Sequence, residues 1–250
     1  MIGFFRKIRR KLANENQFVK YSRYAIGEIV LVVVGILIAL QINNWNQERK
    51  EKIHERKILL ELRKTLESNQ QKMVQDSLRR IGLNKSSDII ISALKNKEKH
   101  SDTLNIHFQY ARIPGTNLSL SFAGYEGLKN AGFNIISSDT VRNRIVNLFE
   151  FFHKNLFEIM EYFESFQPSR QVLIDNLFIY DDKKFDISNP EAVPIIPHDY
   201  QALLNDTIYL TMIKSVKVQR NVIGVNVYDN LKFTRRLLIL INEELENFGK

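Results

Sequence analysis

The run Ala25–Ile42, AIGEIVLVVVGILIALQI, constrains this chain more than any other segment. Coiled as an α-helix at about 1.5 Å per residue it extends roughly 27 Å, close to the hydrocarbon thickness of a bilayer. Tyr21 and Tyr24 precede it, and Trp45, the only tryptophan, follows it. Aromatic rings of this kind favour the headgroup level, so both ends read as interface anchors. A buried helix of a soluble core is the competing reading. The density of Val, Ile and Leu, the aromatic flanks and the basic N-terminal side weigh against it. A cleaved signal peptide is a second competitor, but Gln41-Ile42-Asn43-Asn44-Trp45 offers no small-residue cleavage site. The expectation is an uncleaved signal anchor with a transmembrane helix over residues 24–43.

Charge sets the expected orientation. The chain carries a formal +8. Residues 1–23 hold Arg6, Lys7, Arg9, Arg10, Lys11, Lys20 and Arg23 against Glu15 alone, so +6 of that excess is in the tail. Nucleic-acid binding is thereby disfavoured, because a phosphate-binding face needs a dense basic cluster in the folded part of the chain. Arg49, Lys50, Lys52, Arg56 and Lys57 follow the span, fewer than the seven before it. The bias favours a cytoplasmic N-terminus and an exterior C-terminal domain. In the tail, Ile2, Phe4, Phe5, Ile8 and Leu12 recur at helical spacing among basic residues, a pattern suited to an anionic lipid surface.

Two features inside the span bear on partners. Glu28 lies one turn from Tyr24, where it snorkels to the interface or, on the functional reading, pairs with another membrane protein. Gly27, Gly35 and Ala39 lie near one helical face, and Gly35-x-x-x-Ala39 allows close helix–helix approach. Tyr24, Gly27, Glu28, Gly35, Ala39 and Trp45 are therefore the candidate anchoring and packing residues.

The spelling FFRKIRRKL at Phe4–Leu12, followed by YAIGEIVLVVVGILIALQINNWN at Tyr24–Asn46, closely resembles the start of an uncharacterised single-span membrane protein family of Bacteroidota. Further on the similarity is looser, chiefly YEGLKNAGFNII at Tyr125–Ile136. The resemblance implies a bacterial envelope location and a helical exterior domain, and it implies no catalytic residue.

Beyond the span, residues 44–57 are almost wholly polar and predict a solvated helical stalk. Apolar positions return at Ile58, Leu59, Leu62, Leu66, Met73 and Leu78. Residues 58–250 are expected to form an extracytoplasmic antiparallel helical bundle, an all-α fold consistent with only 10 Gly and 5 Pro. The pattern predicts helices over Ser86–Asn96 and Asn117–Ala131. It predicts another over Asp139–Phe166, capped by Ser138, and a shorter one after Pro168 reaching Tyr180. The last, capped by Asp199, runs to Asn247 on a near-heptad stripe of Ile208, Met212, Val216, Ile223, Val227, Leu231, Leu238, Ile241 and Leu245, with an irregularity at Gly224. His100–Thr116 has no clear reading, and Asp181–Pro197 reads as a loop.

Motifs of chemistry are lacking. With no cysteine there is no disulfide, thiolate site or cysteine nucleophile. His54, His100, His107, His153 and His198 make no metal-ligand spacing, and His153 reads as a surface or part-buried residue. Asp181, Asp182 and Asp186 do not have the spacing of a calcium loop. Gly124-Tyr125-Glu126-Gly127 resembles a phosphate-gripping GXXG only superficially, because Glu126 is acidic; close helix packing or a turn explains it better. No catalytic, cofactor or metal residue is assigned. The expectation is a non-enzymatic envelope interaction protein whose partners are the bilayer and either a second copy or another envelope protein. An extracytoplasmic ligand-binding module that relays through a membrane partner is the alternative, and a membrane enzyme using Glu28 or the 181–186 loop is a third reading.

Overall fold

The structure, a computed structural model, describes residues 18–248 together with Lys7 and Arg10, with side chains from Ser22 onward. The amphipathic pattern expected in the tail lies outside the described residues. The chain divides into two units, Met1–His54 and Glu55–Lys250. It is predominantly helical, as the periodicity predicts.

Helix α1 spans Phe18–Lys95. Within the first unit its apolar window is wholly unburied, and Ile29, Leu31, Leu37 and Ile42 all stand exposed. This is the one helix among the described residues long and apolar enough to cross a membrane.

In the second unit, α1 packs with α2 (Asp102–Ala111), α3 (Ala123–Ala131), α4 (Asp139–Asn147) and α5 (Lys154–Glu164). The chain continues through α6 (Gln167–Leu177), the short α7 (Tyr200–Leu203) and the long α8 (Thr207–Asn247). Ser138 caps α4 through a hydrogen bond from the Val141 amide, as expected. A π-helical turn, Leu148–His153, joins α4 to α5. It accommodates one extra residue without breaking the run.

The core is a seam between two heptad repeats. On α1 the buried positions Glu55, Leu59, Leu62, Leu66, Asn69, Met73, Asp76, Arg80, Leu83, Ser87, Ile90 and Leu94 alternate by four and three. On α8 the same alternation carries Tyr209, Ile213, Val216, Arg220, Ile223, Val227, Asn230, Thr234, Leu237 and Ile241. A spacing of this kind keeps one stripe of each helix facing its partner. The pairs Asn84–Asn221, Ser87–Arg220 and Asp88–Lys217 fix the antiparallel sense.

Several expectations are corrected. Ser86–Asn96 is the end of α1 and not a separate helix, because Gly82 and Asn84 do not interrupt it. The unread segment at residue 100 holds α2. Helix α3 begins only at Ala123. The segment after Pro168 ends in a strand, β1 (Phe178–Tyr180), which pairs antiparallel with β2 (Ile195–Pro197) inside the expected loop. Asp199 caps only α7; Asp206 caps α8 by accepting the Tyr209 amide. Helix α8 passes Gly224 without irregularity. Leu78 and Ile208, read as core, are 65% and 69% exposed.

Candidate functional site

The hydrophobic core falls into three clusters along the seam. One surrounds Leu59, Leu66, Phe149 and Ile241. The next surrounds Met73, Leu156 and Val227, and the third surrounds Ile90, Phe108 and Ile213. Between the last two, heptad positions that would ordinarily be apolar carry Asp76, Arg80, Ser87 and Arg220, all buried. Burying ions costs several kcal/mol each unless partners replace water, so the partners define what this layer does.

Arg80 pairs with Asp76 one turn earlier and donates from Nη1 to the Gly115 carbonyl at 2.5 Å. Arg220 donates from Nη2 to Ser87 Oγ and to the Ala111 carbonyl at 3.2 Å, and from Nη1 to the Tyr110 carbonyl at 3.5 Å. Ser87 Oγ also reaches the Ala111 carbonyl at 3.4 Å. Burial pushes the Asp76 carboxyl up and the Arg80 guanidinium down, and their mutual attraction offsets only part of that cost. Burial also lowers Arg220, to about 10, so it remains a cation at neutral pH. Two buried guanidiniums thus clamp three backbone carbonyls at the end of α2 and in the turn that follows. Gly115 sits there at φ +75°, and a Cβ on it would come within 3.2 Å of Arg80 Nη1. Glycine suits that position on both counts.

The clamped segment forms one wall of an open cleft of about 380 Å³, bounded also by α6 and by Glu191. Arg112, on the clamped wall, donates to Gln109 at 2.8 Å and to Gln171 at 3.0 Å, and its guanidinium lies 5.6 Å over the Tyr180 ring. Arg170 on α6 donates to Gln219 at 3.0 Å and to the Phe163 carbonyl at 3.2 Å. Burial lowers its guanidinium. Neither arginine pairs with a carboxylate among the described residues. Glu191 is held by Arg79 and by Asn117 Nδ2 at 2.9 Å.

A second polar point is His153, which is fully buried and not a surface residue. The π turn rotates it into the core. Asn230 donates to the Phe152 and Asn226 carbonyls, so its Oδ1 accepts from His153 Nδ1 at 2.7 Å. His153 Nε2 has no hydrogen-bond partner, and Phe122 and Phe149 present ring edges or faces to the imidazole. Burial lowers this imidazole below its ordinary value.

The residues singled out from sequence all lie on α1 in the first unit. Tyr24 and Trp45 are 57% and 63% exposed, and Glu28 and Ala39 are exposed. A Cβ on Gly27 or Gly35 would meet open space. None of the six joins the cleft or the polar layer, which are built entirely within the second unit. Sequence reasoning missed Arg80, Arg112, Arg170 and Arg220. The signal that could have found Arg80 and Arg220 was their heptad phase, which places charge on a stripe otherwise apolar. Gly124 is the glycine of close approach: a Cβ there would lie 2.8 Å from Leu62 Cα, and its amide donates to Thr65 Oγ1 at 3.0 Å. Among the described residues no group of three or more His, Asp or Glu could hold a metal ion. Asp181 pairs with Lys184, and Asp186 accepts from Ser188.

No curated protein and no solved structure matches this chain. A family model does, over residues 28–168, which run from the apolar span of α1 past α5. That is more than half of the chain, and the protein belongs to the family of unknown function DUF6090.

Proposed function

We propose that this chain is a single-pass protein of a bacterial inner membrane, held by residues 24–43 as an uncleaved signal anchor. Its basic tail lies in the cytoplasm and its helical unit in the periplasm. It acts by binding and not by catalysis, as a scaffold or interaction module for an envelope protein or a second copy of itself. What supports the reading is the contrast along α1. The apolar side chains of residues 25–42 are covered by nothing in the described structure, whereas apolar residues from Ile58 onward fill the core. An uncovered apolar surface of that length is stable only in lipid or against another protein.

A topology reporter fused after Lys250 tests the orientation. Activity outside the cytoplasm is expected, and a cytoplasmic signal would overturn it. Crosslinking followed by capture from detergent is expected to return an envelope protein or a dimer, with recovery of the monomer alone counting against the scaffold reading. Running Glu28→Gln beside wild type asks whether the intramembrane carboxylate recognises a partner: loss of the crosslink at unchanged membrane level assigns it that role.

The cleft in the second unit favours a second reading, a ligand-binding module that relays through a membrane partner. Concave sites with a few convergent polar groups are where small ligands ordinarily bind.

A further inference from the structure

We infer that the cleft between the α2–α3 connection and α6 binds a compact monocarboxylate carrying hydroxyl or amide groups, its carboxylate held by Arg112 and Arg170. This rests on the ligand-binding reading and names the chemistry of the ligand.

Charge matching is the first argument. Arg79, Arg80 and Arg142 in the same unit each pair with a carboxylate: Glu191, Asp76 and Asp139. Arg112 and Arg170, partly buried in the cleft wall, are held only by amides, a backbone carbonyl and a tyrosine ring. Neutral acceptors orient a guanidinium without neutralising it, and a carboxylate makes roughly twice as strong a hydrogen bond to it. Each also keeps donors unused, Nη2 on Arg112 and Nε on Arg170. Glu191 is neutralised by Arg79, so the cleft presents two free cations against one acid, Glu164. The net positive charge suits a monoanion.

The neutral groups supply the rest of the ligand. Thr116 and Gln167 line the cleft, and no hydrogen bond occupies either side chain among the described residues. They can donate to or accept from hydroxyls or amides. The volume, about 380 Å³, lies near the lower end for small-molecule sites and limits the ligand to a compact one.

Rigidity is the second argument. A heptad seam gains nothing from two buried arginines where leucine would pack, yet Arg80 holds the carbonyl of Gly115, which lines the cleft, and Arg220 holds those of Tyr110 and Ala111, which lie between the lining residues Gln109 and Arg112. A wall fixed before binding loses little freedom when a ligand arrives, which preserves affinity. The ionic layer therefore serves the cleft that it underlies.

The test uses the full chain in detergent micelles, titrated during thermal unfolding with gluconate, acetate, glucose and inorganic phosphate. Gluconate is expected to raise Tm saturably, acetate less, phosphate weakly and glucose not at all. Arg112→Gln and Arg170→Gln are each expected to weaken gluconate about tenfold, the loss of one charge-assisted contact. Glu164→Gln, at an exposed position, keeps the fold intact and is expected to tighten gluconate severalfold by removing a like charge. A gluconate shift that survives both arginine variants overturns the proposal, as does weaker binding in Glu164→Gln. A shift with glucose alone that the arginine variants abolish overturns the carboxylate assignment and leaves the ligand reading standing. No saturable shift with any of the four overturns both.

Discussion

Among the described residues Asp76 is the only carboxylate buried with the two guanidiniums, and it pairs with Arg80, whereas Arg220 is attracted by the exposed Asp88, so the balance at Arg80 turns on one residue. Replacing it by asparagine keeps the shape and strands a buried guanidinium. Breaking a buried pair from one side typically costs about 3–5 kcal/mol. Asp76→Asn is expected to lower the denaturant midpoint accordingly at unchanged denaturant slope; a loss under about 1 kcal/mol, within the range of an exposed ion pair, would show that water reaches the layer. His153 makes the complementary case. Its imidazole is depressed by burial, with the Asn230 hydrogen bond opposing only part of the shift. The folded state therefore holds it neutral at pH values where the unfolded chain already binds a proton. Stability is fully present above the unfolded value of about 6.5 and is lost as pH falls from there toward the folded value, below which the loss levels off. His107, also lowered by burial, adds in the same direction. Unfolding midpoints of wild type and His153→Gln, measured from about pH 8 to about pH 5, are expected to separate the two, with the variant showing the shallower acid loss. Neither buried polar residue was legible as such. Apolar periodicity reads polar side chains as surface, and only the heptad phase of Arg80 or the π turn that ends at His153 reverses that reading.

At the scale of elements, the long helices were legible in kind and misread in detail. The stripe Leu59–Leu62–Leu66 is apolar and announces itself, but Asn69, Asp76, Arg80 and Ser87 interrupt the continuation, so one helix reads as two. On α8 the same effect moved the expected stripe onto exposed Ile208 and away from Tyr209, Arg220, Asn230 and Thr234. Gly82 is the local residue that most weakens α1 at the apparent break. A Cβ there meets nothing within 4 Å, so Gly82→Ala is expected to stabilise the fold by about 0.5–1 kcal/mol through backbone entropy alone. No gain in a denaturation series would mean that α1 does not remain helical at that point. Gly124 has the opposite sign. It lets α3 rest on the backbone of α1, and Leu62 Cα cannot yield to a methyl 2.8 Å away. Gly124→Ala is expected to cost about 1–3 kcal/mol as the helices separate. Gly127→Ala faces only the end of the Glu61 side chain at 3.4 Å, and near-neutrality there serves as the control. The GYEG spelling was thus readable as packing, but which glycine makes the approach required the fold. The β1–β2 pair was not readable: three-residue strands separated by a proline-bearing segment carry too little alternation to register.

For the molecule as a whole, the long apolar helical window was the most legible part, because length and hydropathy alone specify it, whereas the cleft gathers residues from three stretches of chain, 109–117, 164–174 and 190–191, and has no linear signature. The two units also differ in what holds them. Every residue of the three core clusters lies at Ile58 or later, and the earliest tertiary hydrogen bonds among the described residues run from Glu55 Oε1, which accepts the Ser137 amide at 2.7 Å and the Ser137 hydroxyl at 2.8 Å. Residues 47–54 are exposed helix, with Gln47 donating to Glu51 one turn on. A chain beginning at Gln47 keeps every buried contact of the second unit and adds about two helical turns that shield Glu55 from the new terminus. Removing the apolar window takes away the largest uncovered hydrophobic surface without opening the core. The 47–250 fragment is therefore expected to remain in solution without detergent and to unfold in one cooperative transition at a midpoint close to that of the full chain. A fragment beginning at Leu66 loses Glu55, Ile58, Leu59 and Leu62 from the seam, and it is expected to unfold well below the first or to aggregate. Circular dichroism melts of the two decide it. Equal melting would place the stabilising core beyond residue 65 of α1, and aggregation of the longer fragment would mean that residues before Gln47 cover part of the second unit.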